Sequence, residues 1–125
     1  MDPADGREGI YAAGPMTHTI YALVDPRDGA IRYVGQTVNR PALRVRQHAE
    51  TARRKGPTSR KNAWLCDLQS HGFHKPDVLI IETWLGSDWA AAARLEEFWI
   101  ENLAVLGHDL LNDYELSVLR HRHSV

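Results

Sequence analysis

The sequence predicts an α+β fold in which a small, mainly antiparallel sheet of three strands is flanked by helices. Two apolar, β-branched segments stand on either side of the turn sequence Pro-Arg-Asp-Gly at residues 26–29, and two helical segments separate them from a third strand. A long amphipathic helix completes the order β-β-α-α-β-α. Strands joined by a tight turn pair as a hairpin, and this order of elements favours α+β over a doubly wound sheet.

The three strands are predicted at residues 18–25, 30–36 and 77–85, where apolar, β-branched and aromatic residues are frequent. The first two should form an antiparallel hairpin, because Pro26 and Gly29 suit a tight turn between them.

Two shorter helices are predicted between the second and third strands. The first covers residues 40–55, with Asn39 as its N-cap, and it ends at Gly56. The second follows Ser59 and covers roughly residues 60–71. Its buried face is predicted to carry Trp64, Leu65 and Leu68.

The third helix is predicted to begin after Ser87 or Asp88 and to end at about Leu106. Glu96 lies inside its apolar stripe, whereas Glu97 falls on the polar face. A carboxylate on an apolar face must be paired, hydrogen-bonded or bound to a metal, because burial of an isolated charge is costly. Glu96 is therefore either half of a structural ion pair or a functional acid. The stripe itself consists of Ala92, Leu95, Trp99, Ile100, Leu103 and Leu106.

The domain is predicted to span residues 16–115. Residues 1–15 are rich in Gly, Pro, Ala and acids, which indicates a flexible extension or an added leader, and residues 116–125 are predicted to be a frayed tail. Without a signal pattern or a long apolar run, we expect a cytoplasmic protein with no membrane partner. The single cysteine, Cys66, excludes an intramolecular disulfide and a cysteine-based zinc site.

The charges are strongly segregated, although the formal net charge is only −1. Residues 40–61 carry eight basic residues against Glu50, a formal charge of +7, and residues 82–115 carry eight acids against Arg94, a formal charge of −7. A basic stripe suits a phosphate backbone, although a solvated charged helix is the commoner origin of such a run. The candidate nucleic-acid contacts are Arg40, Arg46, Arg53, Arg54, Lys55, Arg60 and Lys61.

Five short motifs, in order along the chain, resemble those of the GIY-YIG nuclease family. Thr19-Ile20-Tyr21 and Tyr33-Val34-Gly35 are similar to its two paired-strand signatures, and Arg44-x-x-x-His48 is similar to its helix motif. Glu96-Glu97-Phe98-Trp99-Ile100 resembles its metal-binding helix, and Leu110-Leu111-Asn112 resembles its closing asparagine. The resemblance predicts a GIY-YIG-like fold.

The resemblance extends from about residue 17 to residue 113, with three departures. Thr19 replaces the first glycine of the family's name motif, and Pro41 is a candidate for an extra residue before the helix motif. A literal Gly9-Ile10-Tyr11 stands upstream, but Ala12-Ala13-Gly14-Pro15 cannot continue it as a strand. We therefore assign the first tyrosine of the family to Tyr21.

The resemblance implies a role for each candidate catalytic residue. Glu96 would be the protein ligand of one Mg²⁺ or Mn²⁺ ion, and Arg44 would hold the scissile phosphate. Tyr21 is the candidate general base, with Tyr33 and His48 in its hydrogen-bond network. Both tyrosines could instead be core residues with satisfied hydroxyls, which is the ordinary fate of strand tyrosines.

Gly35 and Asn112 are the candidate supporting residues. Asn112 would tie the last segment to the site by hydrogen bonds, or it would be a plain turn asparagine. The remaining histidines complete no metal site in the sequence.

The resemblance predicts a metal-dependent DNA endonuclease that hydrolyses phosphodiester bonds. One alternative is a nucleic-acid-binding module of the same fold without turnover. Another is a cleavage domain that works with a separate specificity subunit or as a homodimer. The tyrosine, arginine, histidine and glutamate motifs together favour the enzyme, since a binding module needs only the basic stripe.

Overall fold

The computed structural model describes residues 14–112 of the chain. Its three strands form one antiparallel sheet in the order β2-β1-β3, which confirms the predicted α+β class and the three-stranded sheet. Apart from residues 14 and 15, the predicted extension lies outside the described residues, and so does the predicted tail. The elements are β1 (Met16–Val24), β2 (Ile31–Thr37), α1 (Pro41–Lys55), α2 (Arg60–Ser70), β3 (Asp77–Gly86) and α3 (Trp89–Val105).

The turn between β1 and β2 is held by one buried carboxylate. Asp25 accepts hydrogen bonds at 2.9 Å from the Arg27 guanidinium and from Trp64 Nε1. The Arg27 guanidinium holds the pKa of this carboxyl well below its usual range. Gly29 closes the turn with a φ of 77°, a conformation that favours glycine. The hairpin is thereby connected to α2 through Trp64.

The sheet is the middle layer of three. Because successive strand residues face opposite sides, Tyr21 and Leu23 pack with α1 and α2, whereas Ile20 and Val34 pack with α3. The first core also contains Val45, Ala52, Trp64, Leu65, Leu68 and Leu111, and the second also contains Ile100, Leu103 and Leu110. The central strand β1 therefore contributes to both cores. Among residues 14–112, no helix has the combination of length and apolarity that crossing a membrane requires.

β3 pairs with β1 through an irregular register beside Tyr21. Ile20 pairs with Glu82, whereas Tyr21 pairs with Ile80, so β3 has one extra residue at this point. Such a bulge increases the local twist of a sheet. Next to it, Trp99 Nε1 donates a hydrogen bond of 2.7 Å to Glu82 Oε1, which connects α3 to β3.

The predicted caps of the second and third helices agree with the structure. Ser59 Oγ accepts a hydrogen bond from the Asn62 backbone N–H, and Asp88 Oδ1 accepts from the N–H groups of Ala90 and Ala91. The element boundaries differ from the predicted ones by at most two residues.

Three details of the sequence prediction are wrong. The N-cap of α1 is Arg40 and not Asn39, whose backbone N–H donates instead to Thr37 Oγ1 at 2.9 Å. Leu106, predicted on the core-facing stripe, is 75% exposed because α3 ends one residue before it. Glu97, predicted on the polar face, is half-buried like its neighbour Glu96.

The last described segment is attached to β2 by hydrogen bonds. Asn112 Oδ1 accepts from the Val34 backbone N–H at 3.0 Å, and Asn112 Nδ2 donates to the Val34 carbonyl at 2.8 Å. The Leu111 N–H donates to the Arg32 carbonyl at 2.6 Å. The buried Asn112 amide thus satisfies both backbone groups of Val34, as a residue of a neighbouring strand would.

We expect Asn112→Ala to lower the free energy of unfolding by about 2 kcal/mol or more, because two buried backbone groups of Val34 lose their partners. Chemical denaturation measures this effect. The control is Asn102→Ala, an exposed asparagine whose removal should change stability by less than about 0.5 kcal/mol. Equal stabilities for the two variants would show that the Asn112 amide is not needed to hold the segment.

Candidate active site

Tyr21 lies opposite a glycine of the neighbouring strand. It pairs with Gly35 of β2, and a Cβ atom at position 35 would lie 2.5 Å from both Cζ and Oη of Tyr21. The ring can cross the neighbouring strand at this point only because residue 35 has no side chain. The absence of a side chain at Gly35, which was predicted to be a supporting residue, therefore leaves space for the Tyr21 ring.

The Tyr21 hydroxyl meets a histidine of α1 inside the protein. Tyr21 Oη and His48 Nε2 are 2.8 Å apart, and the two residues are 1% and 4% exposed. Val45 and Ala49 lie on the same buried face of α1 as His48, so packing of the helix determines where the imidazole points. Arg44, one turn before His48, is half-buried.

Tyr33 and Lys61 complete a cluster around His48. Lys61 Nζ is 3.0 Å from His48 Nδ1 and 4.8 Å from the centroid of the Tyr33 ring. The Tyr33 ring meets the imidazole edge to face, with 5.4 Å between centroids. We call Tyr21, Tyr33, His48 and Lys61 the tyrosine–histidine cluster.

From the sequence, Lys61 was predicted to be a nucleic-acid contact at the start of the second helix, where the family resemblance implies a further basic site residue, but its contact with His48 was not predicted. A signal for it was present. Lys61 precedes Trp64, Leu65 and Leu68 by three, four and seven residues, and so lies on the buried face of α2. Lys61 is thus a charged residue on the apolar face of its helix, as Glu96 was predicted to be on the third helix.

The surroundings change the pKa values of Tyr21 and His48 in opposite directions. Burial lowers the pKa of His48 to about 3, and the positive charges of Lys61 and Arg44 add to this effect. Burial raises the pKa of Tyr21 above its usual value; Arg44 opposes the rise by charge and hydrogen bonding, and the charge of Glu96 adds to it. At neutral pH the imidazole is therefore uncharged and the phenol keeps its proton.

Glu96 approaches the cluster from the other side of the sheet. Its side chain is half-buried, and its negative charge adds a small contribution to the rise in the Tyr21 pKa, which is caused mainly by burial. The buried Ile100 and the Trp99–Glu82 hydrogen bond hold this part of α3 against the sheet. The structure thus brings Tyr21, Arg44, His48 and Glu96 together, although they come from three different elements.

The donor set fits a magnesium-type ion that is bound by one carboxylate. The described residues contain no group of three or more His, Cys, Asp and Glu that could hold a metal ion among themselves. Mg²⁺ does not need such a group, because it commonly keeps several waters and takes one or two carboxylates plus substrate phosphates. Glu96, a half-buried carboxylate whose charge acts on the same tyrosine as that of Arg44, is compatible with this mode of binding.

The other predicted nucleic-acid contacts lie at the surface. Arg53, Arg54 and Lys55 form the last turn of α1, where positive side chains complement the helix dipole. Arg60 lies 3.8 Å from an Asp109 carboxylate oxygen. The exposed members of the set are Arg40, Arg46, Arg53, Arg54, Lys55 and Arg60.

A family model described as the GIY-YIG catalytic domain matches residues 17–105. The chain belongs to the GIY-YIG family. This confirms the resemblance seen in the sequence. Tyr21, Tyr33, Arg44, His48 and Glu96 all fall within the matched range, whereas the literal motif at residues 9–11 precedes it and also lies outside the described residues.

The GIY-YIG domain is similar to the "Structure-specific endonuclease subunit SLX1 homolog" of Drosophila sechellia. The two are 34% identical over 127 residues, which cover 97% of this chain and 42% of the relative. The chain therefore spans less than half the length of this curated relative. No solved structure matches the chain.

We expect Gly35→Ala to displace the Tyr21 ring, because the new methyl group would overlap it at 2.5 Å. The matched control is Gly29→Ala, which strains a positive φ in the hairpin turn but meets no atom within 4 Å. Both variants should unfold at lower denaturant concentration. Only Gly35→Ala should change the Tyr21 and His48 signals in an NMR spectrum, and an unchanged pair of signals would contradict the steric role.

We expect His48 to make the stability of the domain depend on pH. Its pKa is about 3 in the folded protein, against an ordinary value of 6.5. Between these two values the unfolded chain binds a proton that the folded protein does not, so the free energy of unfolding falls as the pH is lowered. The slope for one proton is at most about 1.4 kcal/mol per pH unit.

Urea denaturation between pH 7.5 and pH 5 tests this expectation, with His48→Gln as the comparison. The variant should be less stable at pH 7.5 and should lose stability more slowly as the pH falls. Asp25, whose pKa is lowered from 3.8, also loses stabilising energy in acid, but only below this range. Parallel curves for the two proteins would mean that His48 is not buried in its neutral form.

Proposed function

We propose that this GIY-YIG domain is a metal-dependent endonuclease that cleaves DNA with Tyr21, Arg44 and Glu96 in direct roles. Membership of the family makes it an endonuclease that hydrolyses phosphodiester bonds. The observation that carries the assignment of residues is the buried contact between Tyr21 Oη and His48 Nε2, within the charge fields of Arg44 and Glu96. Two charges of opposite sign that act on a buried phenol support a role for Tyr21 beyond that of a core tyrosine.

The hydrolysis requires an activated water, stabilisation of the charged phosphorane and departure of the 3′ oxygen. In the proposed step, the Tyr21 phenolate oxygen accepts a proton from water while the water oxygen forms its bond to phosphorus. The bond from phosphorus to the 3′ oxygen breaks, its electron pair stays on that oxygen, and a proton from solvent neutralises it. The Arg44 guanidinium holds the non-bridging oxygens with two parallel donors.

Tyr21 must release its own proton to solvent before it can act as a base, and the residues around it control this release. Burial and the charge of Glu96 raise the pKa of Tyr21 and so disfavour release of the proton, whereas Arg44 lowers this pKa and favours release. A cation at Glu96 would remove the opposing effect of that carboxylate. Glu96 would hold one Mg²⁺ or Mn²⁺ ion, which when bound would stabilise the developing charge on the phosphate.

The substrate is proposed from the basic residues and from the relative. The exposed arginines and lysine of α1, together with Arg40 and Arg60, suit a phosphate backbone without sequence readout. The relative from Drosophila sechellia is named a structure-specific endonuclease subunit. By analogy with 'structure-specific', we propose that this chain recognises the shape of a DNA substrate. By analogy with 'subunit', we propose that it works with a partner that contributes to specificity.

The experiment is a cleavage assay on linear, nicked and branched DNA of one sequence, with Mg²⁺, with Mn²⁺ and with a chelator. We expect cleavage only when a divalent ion is present, and faster cleavage of the branched substrate. If the protein binds all three DNAs and cleaves none with either ion, it is a binding module of the same fold.

Glu96→Gln should reduce cleavage to background while binding of uncut DNA persists, because the ion loses its carboxylate ligand. The matched control is Glu97→Gln, which removes the same charge from the adjacent half-buried position. We expect this control to retain cleavage close to that of the wild-type protein. Loss of cleavage in both variants would assign the effect to the charge of α3 and not to a ligand at Glu96.

Arg44→Lys keeps the charge but loses the planar pair of donors, so turnover should fall on the order of 10²-fold or more. The affinity for uncut DNA should change little. The control is Arg46→Lys, at an exposed position of the same helix. An unchanged turnover with a weaker affinity would make Arg44 a positioning contact for DNA.

A further inference from the structure

We infer that Lys61 fixes the tautomer of His48, and that His48 thereby becomes a hydrogen-bond donor to Tyr21 and is not itself a base. Lys61 is a positioning residue in this inference, since it acts on Tyr21 only through the imidazole. The inference deepens the proposed function, because its consequence for cleavage rests on Tyr21 acting as the base.

Lys61 contacts one ring nitrogen of His48. Lys61 Nζ lies 3.0 Å from His48 Nδ1, a hydrogen-bonding distance. A lysine ammonium has three donors and no acceptor. The hydrogen bond therefore exists only if Nδ1 is unprotonated and accepts.

The contact with Lys61 determines which ring nitrogen of His48 carries the proton. A neutral imidazole carries one N–H, so an accepting Nδ1 places the proton on Nε2. Nε2 lies 2.8 Å from Tyr21 Oη, and the N–H donates to the phenol oxygen. The lowered pKa of His48, about 3, keeps the ring neutral and agrees with this arrangement. The opposite tautomer would set the N–H of Nδ1 against the ammonium.

In this tautomer His48 cannot accept a proton from water, whereas Tyr21 can. The Nδ1 lone pair of His48 is used by Lys61, and Nε2 already carries a proton, so the imidazole offers no basic nitrogen to a water molecule. The Tyr21 oxygen instead receives the Nε2–H donor and lies beside the Arg44 guanidinium. Donors aimed at a phenol oxygen favour its phenolate form. The hydrogen bonds from Lys61 to His48 and from His48 to Tyr21 therefore leave Tyr21, and not His48, as the group that can act as the base.

The Tyr33 ring contacts both Lys61 and His48. Its ring centroid lies 4.8 Å from Lys61 Nζ, and an aromatic face attracts an ammonium group at this distance. The same ring packs edge to face against His48. Tyr33 thus helps to hold the ammonium in the position from which it donates to Nδ1.

The experiment reads the tautomer directly, without DNA, metal or turnover. Long-range ¹H–¹⁵N correlation spectra of the ¹⁵N-labelled full chain at pH 7.5 distinguish the two neutral imidazole forms. His48→Gln identifies the His48 signals among those of the seven histidines. The wild-type protein should show His48 with its proton on Nε2, and a proton on Nδ1 would overturn the inference whether or not the Lys61 and Tyr21 variants fold.

Three variants separate the effect of Lys61 from that of Tyr21. Lys61→Met has no donor and should shift His48 toward the Nδ1–H form, whereas Lys61→Arg should restore the Nε2–H form. Tyr21→Phe removes the acceptor but leaves Lys61 in place, so the Nε2–H form should persist. If Lys61→Met leaves the tautomer unchanged, or if Tyr21→Phe alone switches it, then Tyr21 and not Lys61 selects the tautomer and the inference fails.

The cleavage rate is measured on the same proteins. Lys61→Met should lower turnover on the order of 10²-fold, the lower end of what a positioned proton acceptor contributes, and Lys61→Arg should recover most of it. If the tautomers are as predicted but the wild-type protein does not cleave DNA, the proposed function is refuted, whereas the assignment of the His48 tautomer to Lys61 remains valid. A switched tautomer with unchanged turnover would refute the link between Lys61 and Tyr21.

Discussion

The buried contact between Tyr21 Oη and His48 Nε2 is the interaction on which the rest of the site depends. Both groups lie in a layer of apolar side chains, where an unsatisfied polar atom would cost free energy, so each needs the other. The contact requires that Gly35 leave space for the phenol ring and that α1 present His48 toward the sheet. It also couples the folding of the hairpin to that of the first helix.

The three-layer arrangement places opposite charges on the two sides of this contact. Arg44 and Lys61 come from the layer of α1 and α2, and Glu96 comes from the layer of α3. Their charges act on Tyr21 and His48 through poorly hydrated surroundings, where electrostatic effects are larger than at the surface. The basic and acidic segments of the sequence therefore place positive charge on one side of the site and negative charge on the other.

Features that depend on neighbours in the sequence were predictable. The hairpin, the caps at Ser59 and Asp88, and the burial of Ala92, Ile100 and Leu103 follow from turn chemistry, capping and helical periodicity. Periodicity fails at a helix end, because Leu106 keeps its place in the pattern after the helix has stopped. It also could not separate Glu96 from Glu97, since both lie at the border of the buried face. The contact between Lys61 and His48 was not predicted, because the basic run that contains Lys61 was interpreted as a surface for phosphate contacts.

The sequence by itself determined the family, the α+β class and the identity of the tyrosine, arginine, histidine and glutamate motifs, because each is encoded by residue types at short spacing. Only the tertiary structure decided which of these side chains meet. Tyr21, His48 and Lys61 are separated along the chain by 27 and 13 residues, and their contacts depend on the packing of α1 and α2 over the sheet. The direction of hydrogen bonding follows from that packing, since an ammonium placed at Nδ1 leaves an imidazole only one nitrogen for its proton.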